Sequence, residues 1–189
     1  SSVRRPGSRD SSARRPVAIT MGDPAGIGPE IILKALQKAP EIGLQGPFVV
    51  YGDPKWLDVI PEAPAPDTGL LEVVSCAHVP ADLQVGQISA AGGDAAWRAV
   101  RQAAQDAMAG KVRAVVTAPL SKAAMNLAGH AYPGHTEILA EVAGNVPVRM
   151  MLANEELRTV LVSIHVPLRQ AIERLTVAGI VETIRLTDA

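Results

Sequence analysis

Cysteine is nearly absent: Cys76 stands alone among 189 residues, so neither an intrachain disulfide nor a cysteine-based metal cluster can form. A reducing cytoplasm is the compartment that fits best. Aromatic residues make up 3% of the chain against 48% hydrophobic residues in all, so the core has to be built from Ala, Val, Ile and Leu. No apolar run approaches the length a membrane-spanning helix needs. A strong charge of one sign is missing as well. The formal net charge is −1, made of a local +4 (Arg4, Arg5, Arg9, Arg14 and Arg15 against Asp10) and a mildly acidic body of −5. Such a body carries no electrostatic footprint for nucleic acid. The Arg/Ser-rich beginning lacks the apolar stretch of a secretory signal, and residues 1–15 are expected to be a disordered tail.

What is present is an alternation of short β-branched runs and helical patterns, the mark of an α/β class. Strands are expected over 15–21, 48–51, 70–75 and 112–117. Helices are expected from Pro29 to Ala39, over 55–60, from an Asp94 cap to Ala109 with Trp97, Val100, Ala104 and Met108 as its core stripe, over 121–127, and over 137–143. The segment 62–69, with Pro64 and Pro66 and with Pro61 just before it, reads as an exposed connector. Residues 148–153 and 157–164 read as an antiparallel hairpin, which makes the sheet mixed. Pro167 opens a further helix, and Thr176 caps another.

Polar chemistry collects where strands end, the usual place of a crevice in parallel sheets. Two stretches qualify, Val112–Glu137 and Ser163–Arg169, and they read as halves of one site. In the first, Lys122 is a candidate anion partner. His135 and Thr136 lie in a glycine-bearing loop before a helix, where Thr136 is either an N-cap or, with the helix amides, part of an anion site. In the second, His165 leaves a strand just ahead of Pro167 and is either a capping residue or a neutral metal ligand. His78 and His130 read as plain surface and loop residues. The turn Gly22-Asp23-Pro24-Ala25-Gly26-Ile27-Gly28 is neither the dinucleotide fingerprint nor a Walker A loop; it is a tight structural turn or a place of close backbone approach to a ligand.

Five stretches in order, Ile19–Glu30, Thr117–Lys122, Tyr132–Glu137, Met150–Ala153 and His165–Arg169, resemble the 4-hydroxythreonine-4-phosphate dehydrogenase family over nearly everything from Pro16 to Ala189. The resemblance implies a two-domain α/β/α fold like that of isocitrate and isopropylmalate dehydrogenases, with a mixed sheet and a cleft. It implies NAD- and divalent-metal-dependent (Zn, Mg or Co) oxidation of 4-phosphooxy-L-threonine with decarboxylation, in pyridoxal phosphate biosynthesis, by a cytoplasmic homodimer with shared active sites. His135 and Thr136 then match substrate-binding residues, and His165 matches one of three metal-binding histidines. No catalytic or cofactor-binding residue is assigned. Residues 16–189 correspond to the first portion of such an enzyme, expected to be inactive alone. A paralogue acting on 4-phospho-D-threonate or 4-phosphoerythronate, a phosphate acyltransferase of related architecture, or a non-catalytic module that holds a phosphorylated metabolite are the competing readings.

Overall fold

Val17–Thr20 forms strand β1, and everything in the first part of the chain is placed around it. It pairs in parallel with β2 (Phe48–Gly52) on one side and β4 (Ala114–Thr117) on the other. Beyond β2 lies β3 (Leu71–Ser75), giving the order β3-β2-β1-β4. The computed structural model describes residues 15–44, 46–58 and 71–188. It divides into two compact units, Ser1–Gly144 and Asn145–Ala189.

Alternation along the strands gives the first unit its layers, because successive side chains point to opposite faces. Val17 and Ile19 of β1 and Phe48 and Val50 of β2 join Ile32, Leu33 and Leu36 of helix α1 (Gly28–Lys38) in one cluster. Ala18, Val49 and Tyr51 turn the other way, onto Ala99 and Ala103 of α3 (Ala90–Met108). Helices therefore cover both faces of a sheet that is parallel throughout. Short α2 (Lys55–Asp58) follows β2. The core is assembled from small aliphatic side chains, and Tyr51 is its largest fully buried member.

Several boundaries differ from the sequence reading. Arg15 is not tail: its guanidinium donates to the Gly110 carbonyl at 3.0 Å, just past the end of α3. Residues 1–14, the proline-rich connector at 62–69, the last two residues of the expected 55–60 helix and Leu70 lie outside the described residues. Helix α3 starts four residues before Asp94, because Ser89 is extended and its hydroxyl accepts the Gly92 amide at 3.1 Å. The glycine pair ahead of Asp94 is needed by packing. A Cβ on Gly93 would sit 2.1 Å from the Ala124 carbonyl of α4 (Lys122–Leu127), so only glycine lets the two helices approach this closely. Of the expected stripe, Val100 and Ala104 are buried, Trp97 is half-buried, and Met108 is 64% exposed.

In the second unit, β5 (Met151–Ala153) and β6 (Arg158–Val160) form the hairpin, turned by Asn154, whose side-chain oxygen accepts the Glu156 and Leu157 amides. This ribbon is a separate two-stranded sheet, so the expected mixed sheet is corrected: the antiparallel strands do not join the parallel four. Helices α6 (Leu168–Arg174) and α7 (Val177–Asp188) follow. Arg149 ties the hairpin's approach to α7, donating to the Thr183 hydroxyl at 2.9 Å and pairing with Glu182.

Candidate functional site

The carboxyl ends of β1 and β4 lie side by side, in register at Thr20 and Thr117. From there the chain makes two turns that lock together. The Ala118 amide donates to the Thr20 carbonyl at 3.1 Å, and the Asp23 amide donates to the Pro119 carbonyl at 3.1 Å. Gly22 sits at φ +71°, where a Cβ would be 2.2 Å from the Pro119 oxygen; a Cβ on Gly28 would be 2.0 Å from the Met21 oxygen. Both glycines are thus filled by the protein's own backbone. That resolves the open choice for this motif toward packing, and leaves Gly22 and Gly28 no cradle for a dinucleotide. Asp23 is buried at 7% exposure, its Oδ1 taking the Ala25 amide at 2.9 Å. Burial pushes its carboxyl up, and the Ala25 bond offsets part of the rise.

Ser121 caps α4, its hydroxyl accepting the Ala124 amide at 3.2 Å. The chain then turns at Gly129 (φ +84°) and enters α5 (His135–Val142). Helix α5 is pinned by Ile138, which is 1% exposed and packs with Val100 and Met125. This moves the predicted functional pair: His135 is the first helical residue and not a loop residue, Gly134 stands at the cap position, and Thr136 is no N-cap. The cap offers no side-chain hydrogen bond, so the first amides of α5 keep their donor capacity.

Half-buried His135 points its Nε2–H back at the Ala118 carbonyl, 3.3 Å away. Desolvation holds its pKa below the ordinary imidazole value, partly opposed by that carbonyl. The ring is therefore neutral at physiological pH with its Nδ1 lone pair as acceptor. Thr136 is half-buried next to it. A first side-chain carbon at Gly134 would lie 4.0 Å from Lys122 Cε and 3.6 Å from Glu137 Oε2, so a cation and a carboxylate flank the head of the helix. The structure thus gathers His135, Thr136 and Lys122 at one place, beyond the ends of β1 and β4.

His165 belongs to the second unit. It is exposed, with φ +54°, in the connection between β6 and α6 and not at a strand exit, since β6 ends at Val160. Its neighbours Ser163, Ile164 and Val166 line a hollow of about 190 Å³ with Ala171, Arg174 and Leu175. Among the described residues no group of three or more His, Cys, Asp or Glu could hold a metal ion. One exposed imidazole is a single donor where a divalent metal takes three or four. The residues present do not by themselves make a metal site, and no chemical step is routed through one.

Sequence reasoning passed over His130. Its ring is stacked on Trp97 at 4.0 Å with an interplanar angle of 11°, and its Nε2–H donates to Asp94 Oδ1 at 2.9 Å. A partner 36 residues away in sequence leaves no local signal. His78 is exposed, as expected.

Residues 27–189 match the model of the pyridoxal phosphate biosynthetic protein PdxA family. The chain belongs to that family. It is 41% identical over 187 residues to a 4-hydroxythreonine-4-phosphate dehydrogenase of Beijerinckia indica subsp. indica, covering 90% of this chain and 54% of that protein. It is 42% identical over 190 residues to a D-threonate 4-phosphate dehydrogenase of Salmonella typhimurium, covering 91% and 57%. A solved 4-hydroxythreonine-4-phosphate dehydrogenase from Klebsiella pneumoniae superposes with a TM-score of 0.80 at 37% identity, over 92% of this chain and 58% of that one. The chain spans a little over half the length of these PdxA-family relatives. No helix among the described residues is long and apolar enough to cross a membrane.

Proposed function

We propose that this PdxA-family chain carries the substrate-holding part of a dehydrogenase that oxidises 4-phosphooxy-L-threonine to 2-amino-3-oxo-4-phosphobutanoate, which then loses carbon dioxide. NAD would accept the hydride when bound, and a divalent metal (Zn, Mg or Co) would polarise the oxygen undergoing oxidation. His165 is proposed as one metal ligand, the others lying outside the described residues. The whole enzyme is proposed to be a two-domain homodimer with a cleft site shared between subunits. The observation that carries the reading is the head of α5, where His135 and Thr136 stand beside Lys122.

This chain's own residues divide the work of holding such a substrate. Uncapped amides of α5 and the Lys122 ammonium are donors suited to an anionic group. Neutral His135, with Nε2–H committed to Ala118, offers Nδ1 as acceptor to a hydroxyl. Thr136 can donate or accept. Acid reverses the His135 role, since a protonated Nδ1 becomes a donor. Affinity for a ligand whose hydroxyl must donate to Nδ1 is therefore expected to fall as pH drops through the lowered His135 pKa, and a His135→Asn variant should lose that contribution in a binding titration.

A second reading has its own support in the Salmonella typhimurium relative named for D-threonate 4-phosphate. The two are separated by a substrate panel on the whole enzyme, followed by NADH absorbance. Turnover of 4-phosphooxy-L-threonine well above that of 4-phospho-D-threonate supports the first reading, the reverse order supports the second, and turnover of neither by metal-loaded, NAD-saturated enzyme would remove both.

A further inference from the structure

We infer that His130 is a positioning residue that seats His135, by clamping the turn between α4 and α5 onto α3. The turn runs from Gly129 to Gly134 and has an imidazole near each end. At its far end, His135 reaches back to Ala118 at 3.3 Å. At its near end, His130 is gripped in two directions: face-on by the Trp97 indole, 4.0 Å away and nearly parallel, and edge-on by Asp94 Oδ1 at 2.9 Å. Asp94 is itself fixed, its other oxygen accepting from Arg98 Nε at 2.5 Å. Burial raises the Asp94 carboxyl, but the bonds from Arg98 and His130 outweigh it and leave the pKa below the usual carboxylate range.

Trp97 meets His130 with its ring face. Its Nε1 is buried without a hydrogen-bond partner among the described residues, while its ring packs against the Val100, Met125 and Ile138 cluster and lies 5.2 Å from the Arg101 guanidinium carbon. Around the clamp the charged groups are Asp94, Arg98 and Arg101 on α3 and Glu141 on α5, the last accepting from the Tyr132 hydroxyl at 2.6 Å. Tyr132 belongs to the same turn, so the strap is tied at His130 to α3 and at Tyr132 to α5. His130 holds this turn to α3 by both a ring stack and a hydrogen bond, so removing its ring loosens the end of the segment that delivers His135. A shift of about 1 Å in a positioned group can cost roughly a hundredfold in rate, which gives the clamp functional weight.

What His135 is positioned for rests on the preceding proposal, but the test needs no ligand, so it stands apart from any turnover assay. The chain contains four histidines, His78, His130, His135 and His165, few enough to resolve by long-range nitrogen–proton correlation on labelled protein. In the unsubstituted chain His130 should carry a proton on Nε2 toward Asp94, and at neutral pH His135 should show a protonated Nε2 and a bare Nδ1. In His130→Ala, the His135 ring signals should move and its titration midpoint should rise toward the ordinary imidazole value, while His78 and His165 stay in place. His130→Gln, which keeps an N–H toward Asp94, should move His135 less. Unchanged His135 signals in folded His130→Ala would overturn the inference. If the alanine variant does not fold, unchanged His135 signals in the glutamine variant overturn it, as does an unprotonated Nε2 on His130 in the parent chain.

Discussion

Asp23 carries a carboxylate into a place with little water and one stabilising amide. Its folded-state pKa is raised, with desolvation as the main cause, so the native state holds a proton that the unfolded chain has already released. Between the ordinary Asp value and the raised one, stability therefore falls as pH rises. Asp23→Asn keeps an oxygen for the Ala25 amide and removes the charge. Its melting temperature should gain on the parent at pH 7 and lose that advantage near pH 3.5; an advantage constant across that range would contradict the assignment. Thr20 gives a second measurement. Its hydroxyl is fully buried with no partner among the described residues, and an unsatisfied buried hydroxyl costs about 1–3 kcal/mol. Thr20→Val should therefore raise the denaturant midpoint, and a lower midpoint would show that the hydroxyl has a partner. Residue roles of this kind were only half legible in the sequence. The types His135, Thr136 and Lys122 were visible together, but the seat of His135 under Ala118 depends on where β4 ends. The grip on His130 depends on Asp94 and Trp97, which face it across a helix contact that no local pattern records.

Elements were easier to read, and they failed where packing overrode propensity. The β1, β2 and β3 runs were legible because buried parallel strands are continuous in Val, Ile and similar residues. Helix α3 was misplaced at its start because Gly92 and Gly93 look like a breaker, whereas Gly93 is the contact point with Ala124. A methyl group there has nowhere to go, since the obstruction is the carbonyl of another helix. Gly93→Ala should therefore destabilise the fold by about 1–3 kcal/mol or more, despite alanine's better helix propensity, and urea unfolding measures it. A neutral or stabilising outcome would mean that α3 and α4 do not touch at this point. The hairpin was placed correctly in sequence but assigned to the wrong sheet, because pairing between neighbours in sequence says nothing about which larger sheet a ribbon joins.

At the scale of the whole molecule, the two units are built very differently. In the first, buried hydrophobic residues assemble into clusters on both faces of the sheet and between α3, α4 and α5. In the second, Thr183 alone among the described residues is buried, while Leu152, Leu157, Leu168, Ile172, Leu175, Val177 and Ile184 are each more than half exposed. Amide hydrogen exchange should accordingly be slow in β1, β2 and α3 and fast in α6 and α7, since local stability follows buried contact. Comparable protection across both units would show that the second is covered in solution. The resemblance made the family legible from five short stretches, whereas neither composition nor periodicity revealed this difference in burial.

The position of β1 between β2 and β4 also bears on how the polypeptide is made. As the chain emerges from the ribosome, β1 can pair with β2 once Gly52 is out, but its opposite edge stays open until β4 follows. During that interval a row of bare amides and carbonyls faces the cell, the kind of template on which nascent chains aggregate. Helix α3 is translated before β4 and packs on the face that Ala18 presents, so one face of β1 can be covered before its open edge is.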